Sequence, residues 1–240
     1  MTDVAVVGSG PNGLAAAVTM ARAGLKVHVF EAAGTPGGGL RTAELMEPGH
    51  FHDVCSAVHP MVLASPFFRR FELSRRVTLE VPELSYGSPL DGGRAALAYR
   101  SLDRTVAELG RDGAAYRRLM EPLVRRVEGV ADLTLNQLLR IPADPVAAAA
   151  FGRRALEQGS PLWNVRFSQD LAPALLSGVA AHAVAPLPSI TAAGAGLMLG
   201  ALGHAGGWPV PRGGSAAIAR ALTADIEAHG GVVETGRRIT

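Results

Sequence analysis

Six residues near the start carry the clearest chemistry: Gly8, Ser9, Gly10, Pro11, Asn12 and Gly13. They follow the apolar run Val4–Val7, which reads as a buried parallel strand, and precede an Ala-rich stretch from Leu14 to Ala23, which reads as a helix. A strand passing through G-x-G-x-x-G into a helix can hold a pyrophosphate. The first glycine allows the tight turn, the second lets phosphate approach the backbone, and the third lets helix pack on strand. The phosphates then face unpaired N–H groups and the positive end of the helix dipole. Such a motif is weak alone, and its context strengthens it. The next strand, Lys26–Phe30, ends at Glu31, which lies 18 residues after Gly13 and 23 after Gly8, placed to accept hydrogen bonds from ribose hydroxyls. An acid there repels a 2′-phosphate and argues against NADP.

A second glycine cluster, Gly37-Gly38-Gly39-Leu40-Arg41-Thr42, follows the acid. Glycines let such a loop lie against a cofactor, and Arg41 offers a fork of donors to a pyrophosphate or a carbonyl. Two glycines followed by Arg and Thr at this spacing resemble the flavoprotein superfamily of amine oxidases and phytoene desaturases. The resemblance implies FAD, with Ala32, Gly37, Gly38, Arg41 and Thr42 joining Glu31 and the first turn as cofactor-binding residues. Phe51–Pro60 resembles the segment that lays backbone along the isoalloxazine ring, which adds Ser56, Ala57, Val58 and His59. Gly207–Ser215 and Val232–Gly236 resemble the family's return to the cofactor domain. In that family the cofactor performs the redox step, so no catalytic side chain is nominated. The implied function is an FAD-dependent, phytoene dehydrogenase-like oxidoreductase acting on a C–H bond of a lipophilic or amine-bearing substrate.

The resemblance also implies a longer protein. Family members are about twice this length, and no second glycine-rich, flavin-closing motif follows here. The alternative expectation is therefore a non-catalytic or partner-dependent N-terminal half, needing a missing C-terminal half. A further alternative is an NAD-dependent dehydrogenase using the same βαβ unit, against which the Arg41 loop argues.

The elements that must position these residues read as α/β. A Rossmann-like, FAD/NAD(P)-binding parallel sheet carries an inserted, mainly helical substrate (cap) domain, apparently truncated. The expected segments are 1–75 for the first part of the cofactor domain, 76–206 for a partial cap, and 207–240 for an incomplete return. Gly24 ends the first helix. Ser65-Pro66 starts a short helix through Leu73, and Val77–Val81 alternates like a half-buried strand. Asp91-Gly92-Gly93 joins strands near Tyr86 and at Ala95–Tyr99. Helices are expected at Leu102–Leu109, Ala114–Val130, Pro145–Gln158 behind an Asp144 cap, Leu171–Ala183, and from Ser215 to about His229, before a strand at Val232–Thr235.

The 240 residues are 48% hydrophobic and 18% charged, a globular composition, and the net charge of +2 is too small for a nucleic-acid binder. Basic doublets such as Arg69–Arg70, Arg125–Arg126 and Arg153–Arg154 read as solvated helix faces. Residues 171–211 hold no Asp, Glu, Lys or Arg, but Pro173, Pro186, Pro188 and Pro209 break the run, which also holds His182 and His204. A packed pair of interior helices is expected rather than a transmembrane segment, while peripheral membrane contact or a wall for a greasy substrate stays open. The single Cys55 excludes an internal disulfide and suits a reducing, cytoplasmic setting. It reads as a small buried hydrophobe. His50, His52 and His59 near Asp53 match no metal-ligand spacing, so no metal is expected. Trp208 reads equally as a cavity wall or as an anchor.

Overall fold

The computed structural model describes residues 1–137 and 140–240. They divide into two compact units. The first comprises residues 1–59, 66–80 and 209–240, and the second 60–65 and 81–208.

The first unit is built on β1 (Val4–Val7), α1 (Pro11–Arg22) and β2 (Val27–Phe30). The last strand of the chain, β9 (Val232–Glu234), joins them in a parallel sheet of order β1-β2-β9. Val29 lies level with Val6 on one side and Val233 on the other. Leu14, Ala17, Val18 and Ala21 repeat at helical spacing and form the buried face of α1. α11 (Ala216–Ala228) buries Ile218, Ala219, Leu222 and Ile226 against it. Arg22 clamps this helix pair, with Nε and Nη2 at 2.8 and 2.7 Å from the carboxylate of buried Asp225.

Four readings of this unit change. Ala5 and Val7 of β1 are exposed, Val7 by 66%, because α1 covers only the opposite face of the strand. The helix expected from Ser65 to Leu73 is two short ones, α3 (Pro66–Arg70) and α4 (Leu73–Arg76), broken where Glu72 takes a left-handed conformation with φ 55°. The strand expected at Val77–Val81 shrinks to β5 (Leu79–Glu80), paired antiparallel with β8 (Val210–Pro211). A hairpin of β3 (Thr42–Glu44) and β4 (Phe51–Asp53) also forms, which the sequence did not suggest.

The second unit is mainly helical. It contains α2 (Pro60–Ala64), the β6 (Leu84–Pro89) and β7 (Ala95–Tyr99) hairpin, and helices α5 (Leu102–Glu108), α6 (Gly113–Val124), α7 (Val127–Leu135), α8 (Pro145–Gln158), α9 (Leu171–Ala180) and α10 (Ile190–Ala205). Tyr116, Leu119, Met120 and Leu123 of α6 meet Leu175, Leu197 and Ala201 from α9 and α10 in its core. The charge-free stretch does fold as a packed helix pair, α9 on α10. No helix among the described residues is long and apolar enough to cross a membrane.

Two further readings are corrected here. The helix expected over Ala114–Val130 is interrupted at Arg126, whose φ/ψ of −120°/32° is not helical. Arg154 is not on a solvated face: it is buried, donating to the carbonyls of Leu119, Ala150 and Arg118 at 2.7, 2.9 and 3.1 Å. Trp208 is an anchor within this unit, stacked on Tyr86 with centroids 4.7 Å apart and donating to Leu199 O at 3.2 Å.

Candidate dinucleotide site

The site is assembled within the first unit. Gly10 is the N-cap of α1, Pro11 occupies its first turn, and no side chain caps the helix. Its first-turn amides are thus left for an anion, and a Cβ on Gly10 would meet nothing within 4 Å, so there is room for one. Gly13 sits behind this opening. A Cβ there would lie 2.1 Å from Gly8 O, so close helix–strand packing requires glycine.

Ser9 is fully buried, and both of its donors go to Glu31: N at 2.9 Å and Oγ at 2.6 Å from Oε2. Ala33 N donates to Oε1 at 2.8 Å. These bonds, led by the Ser9 hydroxyl, hold the Glu31 carboxyl below its ordinary range, with a small addition from Arg41. A carboxylate has about four acceptor positions, so three bonds leave about one for a ribose hydroxyl. The acid is therefore oriented by the protein before any ligand arrives.

The second glycine cluster folds back on the first. Gly37 N donates to Ser9 O at 3.0 Å, and Gly38, at φ 54°, would bring a Cβ within 3.0 Å of Gly10 Cα. Arg41 is held over the short 3₁₀ turn Gly38–Leu40 by its Nε bond to Gly38 O, 3.0 Å. Gly8, Gly10, Gly13, Glu31, Gly37, Gly38 and Arg41 are thus drawn together through Ser9. Asn12 and Ala32 are exposed at its rim, and Pro11 is half-buried.

The remaining candidates form a separate knot. Thr42 donates its hydroxyl to Asp53 Oδ1 at 2.6 Å and accepts from Ala216 N at 3.0 Å. Ser215 N also donates to Asp53 Oδ1, at 2.8 Å, and the Ser215 hydroxyl bonds to Ser56 O and to His59 Nε2. Thr42 is committed to this knot. His59 is buried and satisfied, and burial lowers its pKa. Ala57 and Val58 are exposed between them. Cys55 is exposed rather than buried, because its strand-end segment lies on the surface of the hairpin. Asp53 and Ser215 are the organising residues that motif reading missed. Their contact spans 162 residues and leaves no local signal.

Comparison with known proteins agrees with this geometry. A family model described as an NAD(P)-binding Rossmann-like domain matches residues 6–71. The chain carries a dinucleotide-binding Rossmann-like domain. Thiamine thiazole synthase of Saccharolobus solfataricus is 30% identical over 156 residues, covering 62% of this chain and 52% of that protein. Two solved structures share the fold at low identity. A fatty acid isomerase from P. acnes, described as producing CLA, superposes with a TM-score of 0.58 at 15% identity, over 98% of this chain and 51% of that one. Cyclohexylamine oxidase from Brevibacterium oxydans IH-35A superposes with a TM-score of 0.53 at 17% identity, over 97% of this chain and 51% of that one. The Rossmann-like chain therefore spans about half the length of these relatives.

Proposed function

We propose that this Rossmann-like chain binds FAD and serves an oxidoreductase acting on a C–H bond of a lipophilic or amine-bearing substrate. The observation that carries this reading is the double glycine arrangement. The Gly37–Arg41 loop lies on the Gly10 turn, so two backbone surfaces and one arginine meet where a single Rossmann turn offers one. The uncapped start of α1 would take the pyrophosphate, the remaining acceptor of Glu31 a ribose hydroxyl, and the free guanidinium nitrogens of Arg41 a phosphate or carbonyl oxygen.

When bound, FAD supplies hydride acceptance. The chain's own contribution is to hold Glu31 ionised and oriented through Ser9, and to fix the second loop against the first. The names of the two fold neighbours, a fatty acid isomerase and an amine oxidase, support the substrate classes. The second unit adds an apolar groove along α9, lined by Tyr86, Ala174, Val179 and Leu187 with His182.

Cofactor capture is tested separately from turnover. Purified protein incubated with FAD is expected to keep flavin absorbance through gel filtration, and NAD is expected not to displace it in a thermal-shift competition. A protein that stays colourless and ignores added FAD rejects the reading.

A further inference from the structure

A second anion site lies in the first unit, in a groove lined by Arg76, Val77, Thr78, Arg212, Ala217, Arg220 and Ala221. Its three arginines come from three elements: α4, the end of β8 and α11. Two are already fixed. Arg76 donates Nε to Phe71 O at 3.0 Å, pairs through Nη1 with Asp225 at 3.2 Å, and lies over the Phe71 ring at 4.5 Å. Arg212 places Nε and Nη2 on Glu80 Oε1. These contacts leave Nη2 of Arg76 and Nη1 of Arg212 without a protein acceptor.

The third arginine is different. Arg220 has no ion-pair or hydrogen-bond partner among the described residues, and neither has the Thr78 hydroxyl. Charge is unbalanced in the same direction. Asp225 answers both Arg22 and Arg76, Glu80 answers Arg212, and Glu72 is taken by Arg75. Four guanidinium groups thus face two carboxylates, an excess of two positive charges. A guanidinium fork matches a phosphate bidentately, and a phosphate monoester carries about two negative charges at neutral pH. Because Arg76 and Arg212 are already held, little side-chain order is lost when a ligand arrives.

We propose that this groove binds a phosphate monoester dianion, with Arg220 as its main ligand and Thr78, Arg76 and Arg212 completing the set. It is independent of the flavin reading, since none of these residues belongs to the Gly10–Glu31–Arg41 site.

The test titrates the full chain with inorganic phosphate by calorimetry at pH 7.5. Phosphatidylcholine vesicles with and without phosphatidate are titrated in parallel. Arg220→Gln, an exposed substitution, is expected to weaken binding roughly tenfold or more, the scale of one lost charge-assisted bond. Arg220→Lys should fall between the two, while Arg117→Gln in the second unit should bind as the unaltered chain does. Arg220-dependent binding of free phosphate alone identifies a soluble phosphate ester. Arg220-dependent preference for phosphatidate vesicles identifies a lipid headgroup. Binding of neither, or an Arg220→Gln titration identical to that of the unaltered chain, overturns the site.

Discussion

His59 Nε2 lies 2.7 Å from the Ser215 hydroxyl, joining residues 156 positions apart. The same hydroxyl reaches Ser56 O, and Ser215 N reaches Asp53 Oδ1. One serine therefore ties the start of α11 to the segment between β4 and the end of the first stretch of the unit. A serine has a single hydroxyl proton. With that proton on Ser56 O, His59 must donate from Nε2. Ser215→Ala strands a buried imidazole and a carbonyl together, at a cost of about 1–3 kcal/mol. The denaturant midpoint should fall accordingly. A midpoint unchanged within error would show that water replaces the hydroxyl at no cost.

Gly10 and Gly13 separate binding from folding. A Cβ on Gly10 enters open space, so Gly10→Ala should keep the fold to within about 1 kcal/mol, the cost of a poorer N-cap. It should weaken FAD at least tenfold, since the methyl group occupies the space where phosphate approaches the backbone. Gly13→Ala drives a Cβ into the carbonyl of Gly8 and should destabilise the unit by about 1–3 kcal/mol or more. Paired thermal melts and FAD titrations check both. If Gly10→Ala binds FAD as tightly as the unaltered chain, the phosphates do not sit at this turn.

The Rossmann start was legible because its signals are local. Residues 4–31 carry strand, turn, helix and acid in one continuous stretch, and Asp144 caps α8 with a 2.9 Å bond to Ala147 N, as its position before Pro145 suggested. The rest depends on partners far away in sequence. Thr42 looked like part of a cofactor loop, yet its hydroxyl is committed to Asp53 and Ala216, the latter 174 residues away. Ser9 read as one of the cofactor-binding residues of the glycine turn, yet its buried hydroxyl is spent on orienting Glu31. Neither role has a spacing signature. Exposure failed for the same reason: Cys55 and Val7 are apolar in type, and only the tertiary arrangement decides what covers them.

His204 gives the second unit an acid-sensitive core. Its Nδ1 lies 2.8 Å from Tyr99 O and must donate, so Nε2 accepts from the Tyr116 hydroxyl at 2.9 Å. Burial lowers the His204 pKa, against smaller opposing contributions from backbone hydrogen bonds. The folded state thus prefers the neutral ring. Between the lowered folded pKa and the unfolded value of about 6.5, the unfolded chain binds more protons, so stability rises with pH. The contribution is fully present above about pH 6.5 and is lost as pH falls through the folded value. His59, lowered by burial as well, adds in the same sense. Urea midpoints between pH 5 and 8 should decline on the acid side, and His204→Gln should flatten that decline without abolishing it. An equally steep profile in the variant would assign the sensitivity elsewhere.

Arg154 and Pro122 form a compensating pair. Proline inside α6 has no N–H for the carbonyl four residues back, which is that of Arg118, and that carbonyl accepts from Arg154 Nη2 at 3.1 Å. Arg154 also donates to Leu119 O and Ala150 O, which already accept N–H groups within their own helices, so the Arg118 carbonyl is the acceptor of the three that the backbone leaves open. Arg154→Met should cost about 1–3 kcal/mol by stranding the Arg118 carbonyl. In a Pro122→Ala background the restored N–H takes Arg118 O, and the same substitution should cost about 1 kcal/mol less. A double-mutant cycle in chemical denaturation measures the difference. Coupling below about 0.5 kcal/mol, the usual scatter of independent sites, would mean that the arginine is held by Leu119 and Ala150 alone.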